Sequence, residues 1–236
     1  MENIPFYVSL TLALTALLTI FIFYKAAGNS RTVLFILFGW MTIQAVISKT
    51  GFYTNTSSVP PRFLLTIGPP LLFIIFLFLT KQGRSFIDSL NLKVLTTLHI
   101  IRLPVELVLV WLFIHKAVPR IMTFEGHNFD ILSGVTAPVI YYVVFIKNKS
   151  YKWLLVWNII CLALLINIVS IAILSAPFPF QKLGFEQPNI ALLYFPFVWL
   201  PSGIVPLVLL SHLTAIRRPM HASNGKVKNK ILSVPL

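Results

Sequence analysis

From Trp153 to Leu174 the chain reads WLLVWNIICLALLINIVSIAIL, with no charged side chain and only Asn158, Asn167 and Ser170 plainly polar. At about 1.5 Å of rise per residue, roughly 20 such residues cross the hydrocarbon layer of a bilayer as one helix. Working outward from this stretch, six further apolar segments, bounded by charges or turn residues, lie at about 5 to 24, 32 to 48, 63 to 80, 94 to 116, 130 to 146 and 190 to 214. The pattern predicts an all-α, polytopic transmembrane bundle of seven helices, a single domain over 1 to 216 followed by a basic cytoplasmic tail over 217 to 236.

Composition agrees with that reading. Of the 236 residues 57% are hydrophobic and 11% are charged, against roughly 25% charged in an ordinary soluble domain. Mean hydropathy is +0.87, so too little polar surface remains to coat a water-soluble globule. The formal net charge is +13. In a soluble chain this excess would suggest nucleic acid, but here the basic residues sit between apolar segments, where anionic lipid headgroups at the cytoplasmic face attract them. Nucleic acid is therefore excluded as a partner, and the bilayer itself is the expected one. Cys161 is the single cysteine, so neither an intrachain disulfide nor a cysteine-rich metal site can form. The run from Pro5 to Tyr24 follows Glu2 without any Lys or Arg, and it reads as a retained span rather than a signal peptide.

Basic residues alternate between the two sets of connecting segments. Thirteen fall with the C-terminus (Lys25 and Arg31; Lys81, Arg84 and Lys93; Lys147, Lys149 and Lys152; Arg217, Arg218, Lys226, Lys228 and Lys230), and five fall opposite (Lys49, Arg62, Lys116, Arg120 and Lys182). The imbalance predicts an outside N-terminus and a cytoplasmic C-terminus.

The remaining basic residue, Arg102, lies inside the fourth span, in His99-Ile-Ile-Arg102-Leu-Pro104-Val-Glu106. Glu106 is about 12 residues into this span, hence roughly 18 Å deep. At 100° per residue His99, Arg102 and Glu106 share one face, and Arg102 with Glu106 forms an i,i+4 pair. A charge at that depth costs at least about 2.5 kcal/mol, so the face must point into the bundle. Gln44, Asn158 and Asn167 are the polar span residues able to join it, which makes His99, Arg102, Glu106, Gln44, Asn158 and Asn167 the candidate substrate-binding set. The bland alternative is a buried structural Arg102–Glu106 pair.

Two further signals stand out. Gly68-Pro69-Pro70 and Pro201, Gly203 and Pro206 interrupt the third and seventh spans, freeing backbone carbonyls that include those of Leu65 and Ser202. The layout of three, one and three spans suggests two halves with broken helices in corresponding places, a pattern that points to a midplane binding site roofed by those helices. At the outer surface His115, Glu125, His127 and Asp130 offer nitrogen and oxygen ligands for a divalent metal, with Asn128 or Asp130 as the competing helix cap.

Met122 through Pro138, with Trp157-Asn-Ile-Ile and Ala176-Pro-Phe-Pro-Phe-Gln, resembles uncharacterised bacterial multi-pass proteins without an assigned activity. The resemblance implies a bacterial plasma membrane. The layout is similar to that of seven-span sugar transporters, without any motif of theirs. Seven-span hydrolases of the ceramidase and hemolysin III type use two His four apart, which this chain lacks, and a retinal protein would need a Lys in the middle of the seventh span. The expected activity is binding or transport of a small solute or proton through a polar midplane pocket. The alternatives are a metal-dependent enzyme acting on an amphiphile and a non-catalytic assembly or sensor subunit.

Overall fold

The computed structural model describes residues 4–222, and among them only helices and connecting turns are formed, with no strand. The helices are α1 (Phe6–Ala26), α2 (Arg31–Lys49), α3 (Leu64–Leu79), α4 (Lys81–Ser89), α5 (Leu92–Ile114), α6 (Ile131–Ile146), α7 (Tyr151–Leu174) and α8 (Leu200–Arg218, continuing to Ala222). By length and composition α1, α2, α5, α7 and α8 could each cross a bilayer, α3 and α4 form a bent pair, and α6 is shorter. These helices are compatible with a membrane protein.

Local chemistry sets where the helices begin. Ser30, Thr80, Asn91 and Ser150 each precede a helix and accept a hydrogen bond from a backbone N–H of its first turn, as at Asn91 Oδ1 to Lys93 N, 3.0 Å. Pro104 cannot donate to the carbonyl of Ile100, and the chain answers with a 3-10 turn at His99–Ile101 inside α5. Pro201 and Pro206 act likewise on α8, which opens with a π-helical turn at Leu200–Ile204.

Two boundaries differ from those the sequence predicts. The segment at 190 to 214 is not helical throughout: residues 190–199 form a 3-10 turn at Ala191–Leu193 and further turns, because Pro196 and Pro201 each remove a donor. The basic segment after the third span is not a simple loop. It forms α4, which leaves α3 at 96°. The elbow needs Gly83, because a Cβ there would overlap the Leu77 backbone. At the other end, Arg217 and Arg218 still belong to α8, where they bond to Asp88 Oδ1 (3.2 Å) and to the Leu90 carbonyl. The rest of the expected basic tail, beyond Ala222, lies outside the described residues.

Helix α5 is the hub, packing against α1, α6 and α8, while α7 lies along α8. Large apolar side chains face outward around the bundle, among them Leu14 and Phe21 on α1, Phe35 on α2, Phe76 on α3 and Ile160 on α7. An apolar exterior of that extent requires a non-aqueous surrounding or a partner.

The elbow gives a direct test. Gly83→Ala should destabilise the fold by about 1–3 kcal/mol, the usual cost of overpacking, read as a lowered Tm of the detergent-solubilised chain. Gln82→Ala, at an exposed position on the same helix, should leave Tm unchanged.

Candidate functional site

Helices α5, α6, α7 and α8 bring together a buried polar cluster centred on Arg102, which is 4% exposed. One terminal nitrogen of its guanidinium pairs with Asp130, at the start of α6. The other lies 2.7 Å from Nε2 of His212 on α8. His212 Nδ1 is 2.7 Å from Asn158 Oδ1 on α7, and Asn158 Nδ2 donates to the carbonyl of Leu154 at 2.8 Å. That last bond orients the amide, so its oxygen faces His212 and Nδ1 must be the donor. Nε2 is then left as the acceptor for Arg102, and the network assigns His212 as a neutral imidazole. His99 stacks on His212 with ring centroids 4.1 Å apart, and Trp157 lies beside the pair, 5.3 Å from His99 in an edge contact and 6.1 Å from His212.

The i,i+4 pair expected between Arg102 and Glu106 is not made, because each has a stronger claim on it. Glu106 accepts the backbone N–H of Phe124 at 2.6 Å and the side-chain amide of Asn128, which also donates to the Met122 carbonyl at 3.0 Å. Asn128 Oδ1 in turn accepts from the Asp130 N–H at 3.1 Å. Glu106 therefore fastens the segment from Thr123 to Asp130 against the bundle, where Thr123 and Asn128 are fully buried. Irregular backbone at such depth persists only when its polar groups are satisfied inside the protein, and a carboxylate accepting two N–H groups meets that need. Gly126 permits the fold-back, since a Cβ would overlap the Arg120 carbonyl.

The other expected ligands serve elsewhere. Asn167 donates to the His127 carbonyl at 2.8 Å and so fastens the same segment from the α7 side. Gln44 accepts from the Tyr53 hydroxyl at 2.6 Å and donates to the Leu65 carbonyl at 3.4 Å, the group that Pro69 leaves unpaired. Trp40, one turn earlier on α2, donates to the Ser202 carbonyl freed by Pro206 at 2.8 Å, and Ser48, one turn later, donates to the Leu193 carbonyl at 3.2 Å. Gln44 thus belongs to a stripe on α2 that repairs interrupted helices, not to the cluster. The interrupted helices themselves do not roof the polar cluster. They line a separate apolar cavity between α1, α2, α3 and α8.

The outer quartet of His115, Glu125, His127 and Asp130 does not converge. Asp130 turns inward to Arg102, Glu125 and His127 are exposed, and Glu125 lies 3.8 Å from Arg120. Among the described residues no group of three or more His, Cys, Asp or Glu side chains could hold a metal ion. Conversely, His212 and Asp130 take the places beside Arg102 that helical spacing assigns to Glu106. His212 carried a usable signal: it is the only His, Lys, Arg, Asp or Glu between Gln187 and Ile216, and ionisable residues inside spans mark functional or paired positions.

The profile of a family described as a domain of unknown function (DUF8737) matches residues 59–219, more than half of the chain. The chain belongs to the DUF8737 family. No curated protein and no solved structure matches it. The DUF8737 region runs from before α3 through most of α8 and contains every member of the Arg102 cluster, whereas α1 and α2 precede it.

Removing one partner of a buried ion pair leaves the other charge uncompensated, at a cost of about 3–5 kcal/mol, whereas replacing both by apolar groups is often neutral. Arg102→Met alone should therefore lower Tm sharply, and Arg102→Met with Asp130→Leu should recover most of the loss in the same thermal-unfolding measurement. Asn128→Ala should cost about 1–3 kcal/mol, the penalty of unsatisfied buried acceptors, and should speed proteolysis within residues 120–130.

Proposed function

We propose that this DUF8737 protein is a seven-span integral membrane protein of a bacterial plasma membrane, N-terminus outside and C-terminus cytoplasmic, which binds or passes a small polar solute or a proton at the Arg102 cluster. Five helices of sufficient length support the reading, and the bent α3–α4 pair adds a sixth if it counts as one span; we assign the seventh crossing to the shorter α6. The excess of basic residues on the connections that share a side with the C-terminus supports the orientation.

One observation carries the functional part. Arg102 Nε and His99 Nδ1 are buried without a hydrogen-bond partner, in a cluster whose other contacts are short and specific. Buried polar groups in native proteins are nearly always satisfied, and two unpartnered nitrogens in one charged cluster favour a binding role over a purely structural pair. Here a guanidinium N–H and an imidazole nitrogen remain free beside an acceptor-locked His212, and that is a binding arrangement for a small molecule with hydrogen-bond acceptors or for an exchangeable proton. Asp130, with 12% of its side chain exposed, connects the cluster toward the outer surface. Arg102 keeps its charge under all ordinary conditions, so proton exchange falls to the two histidines and to Asp130.

Two measurements on one preparation test this. In detergent, a panel of small carboxylates and inorganic anions is screened by thermal shift; a ligand at a hundred times its Kd should raise Tm by on the order of 5 °C. In proteoliposomes with a trapped pH dye, an imposed potential should drive proton entry above that of empty vesicles. His99→Phe and His212→Phe keep ring stacking while removing the ring nitrogens, and each should abolish whichever response the wild type gives. No thermal shift from any panel member together with proton entry equal to empty vesicles overturns the reading.

A further inference from the structure

A cavity of about 490 Å³ lies between α1, α2, α3 and α8, walled by residues such as Ile20, Phe23, Met41, Ile74 and Leu207. It is more than three times the roughly 150 Å³ that accommodates one benzene, and within the usual range for small-molecule sites. Its few polar groups are already committed. Thr19 donates to the Thr15 carbonyl at 2.7 Å, Ser202 to the Val198 carbonyl at 2.8 Å, and the Trp40 indole to the Ser202 carbonyl at 2.8 Å. A polar ligand would find no free donor there.

The opening is lateral. Helices α2 and α3 do not pack closely on one another, and the lining residues Ile36 and Phe73, at 55% and 51% exposure, stand at the gap between them. One end is basic. Lys25 lies two residues beyond Phe23 of the wall, Arg31 two residues before Val33, and Lys81 and Arg84 are on α4, whose Phe86 also lines the cavity. Among the described residues none of these four cations is paired with a carboxylate. Arg84 donates to the carbonyls of Phe78 and Leu79, and Asp88, the acid on α4, is engaged by Arg217. Arg31 and Lys81 are exposed.

An apolar slot open sideways, with unpaired cations at one end, matches an amphiphile with an anionic head. We infer that the cavity holds an acyl chain of an anionic phospholipid whose phosphate lies against Arg31 and Lys81. The inference rests on the membrane reading above and is independent of the Arg102 cluster.

Native mass spectrometry of the full chain in a mild nonionic detergent tests it, with phosphatidylglycerol and phosphatidylcholine of identical acyl chains as probes. The wild type should retain one phosphatidylglycerol per chain at least tenfold more tightly than phosphatidylcholine. Ile36→Trp, at the gap, should weaken both lipids at least tenfold. Arg31→Gln with Lys81→Gln, at exposed positions, should bring phosphatidylglycerol to the level of phosphatidylcholine, and this pair decides the matter if the tryptophan variant does not fold. Equal binding of the two lipids by the wild type, or phosphatidylglycerol retention unchanged in the charge variant, overturns the proposal and leaves annular lipid only. Release of the chain from cell membranes by carbonate without detergent overturns the membrane reading itself, a result visible before any lipid is added.

Discussion

The pairing of Arg102 with Asp130 is the constraint around which the rest of the bundle is arranged. A guanidinium buried between helices is tolerated only if a carboxylate meets it and its remaining N–H groups find acceptors. Asp130 answers from the start of α6 and His212 from α8, and Asn158 then holds His212 from α7. A single buried cation on α5 thereby sets the mutual register of four helices. Because His212 is held as an acceptor, it is also available to carry the stack of His99, so the geometry of the imidazoles is a consequence of the ion pair.

A second demand is satisfaction of interrupted backbone. Prolines in α3 and α8 leave carbonyls without donors, and Gln44 and Trp40 on α2 supply them. The segment from Thr123 to Asp130 makes the same demand, met by Glu106 and Asn167. Side chains that look like ligands when viewed along the sequence are in both places hydrogen-bond partners of a broken main chain. In a medium of low dielectric these roles compete for the same few polar residues, and the backbone's claim is met first.

Two regions of different chemistry result. The polar cluster occupies the interface of α5, α6, α7 and α8, all within the span that the DUF8737 profile matches; the apolar cavity lies between α1, α2, α3 and α8 and draws on helices that precede the match. Only α8 serves both, presenting His212 to one and Gly203 and Leu207 to the other. The polar cluster and the apolar cavity lie on opposite faces of one helix and are independent in their contacts, while sharing the element through which strain in either would pass.

Composition, hydropathy and helical spacing determined the helical class, the approximate placement of the apolar helices, and the fact that Arg102 and Glu106 are buried in protein, because the cost of exposing a charge in an apolar setting is large and local to the residue. Freed carbonyls at Leu65 and Ser202 were legible too, since proline chemistry depends only on the chain. What tertiary structure decided is the choice of partner. The sequence offered Glu106 to Arg102 by helical spacing and Asp130 to a metal by proximity to His127, but a segment folding back between helices took Glu106 and delivered Asp130 to Arg102. The α3–α4 elbow and the late start of α8 belong to the same class. Each depends on contacts between residues far apart in the chain, where packing and hydrogen-bond satisfaction outweigh periodicity, and no local pattern encodes which of several polar groups will arrive.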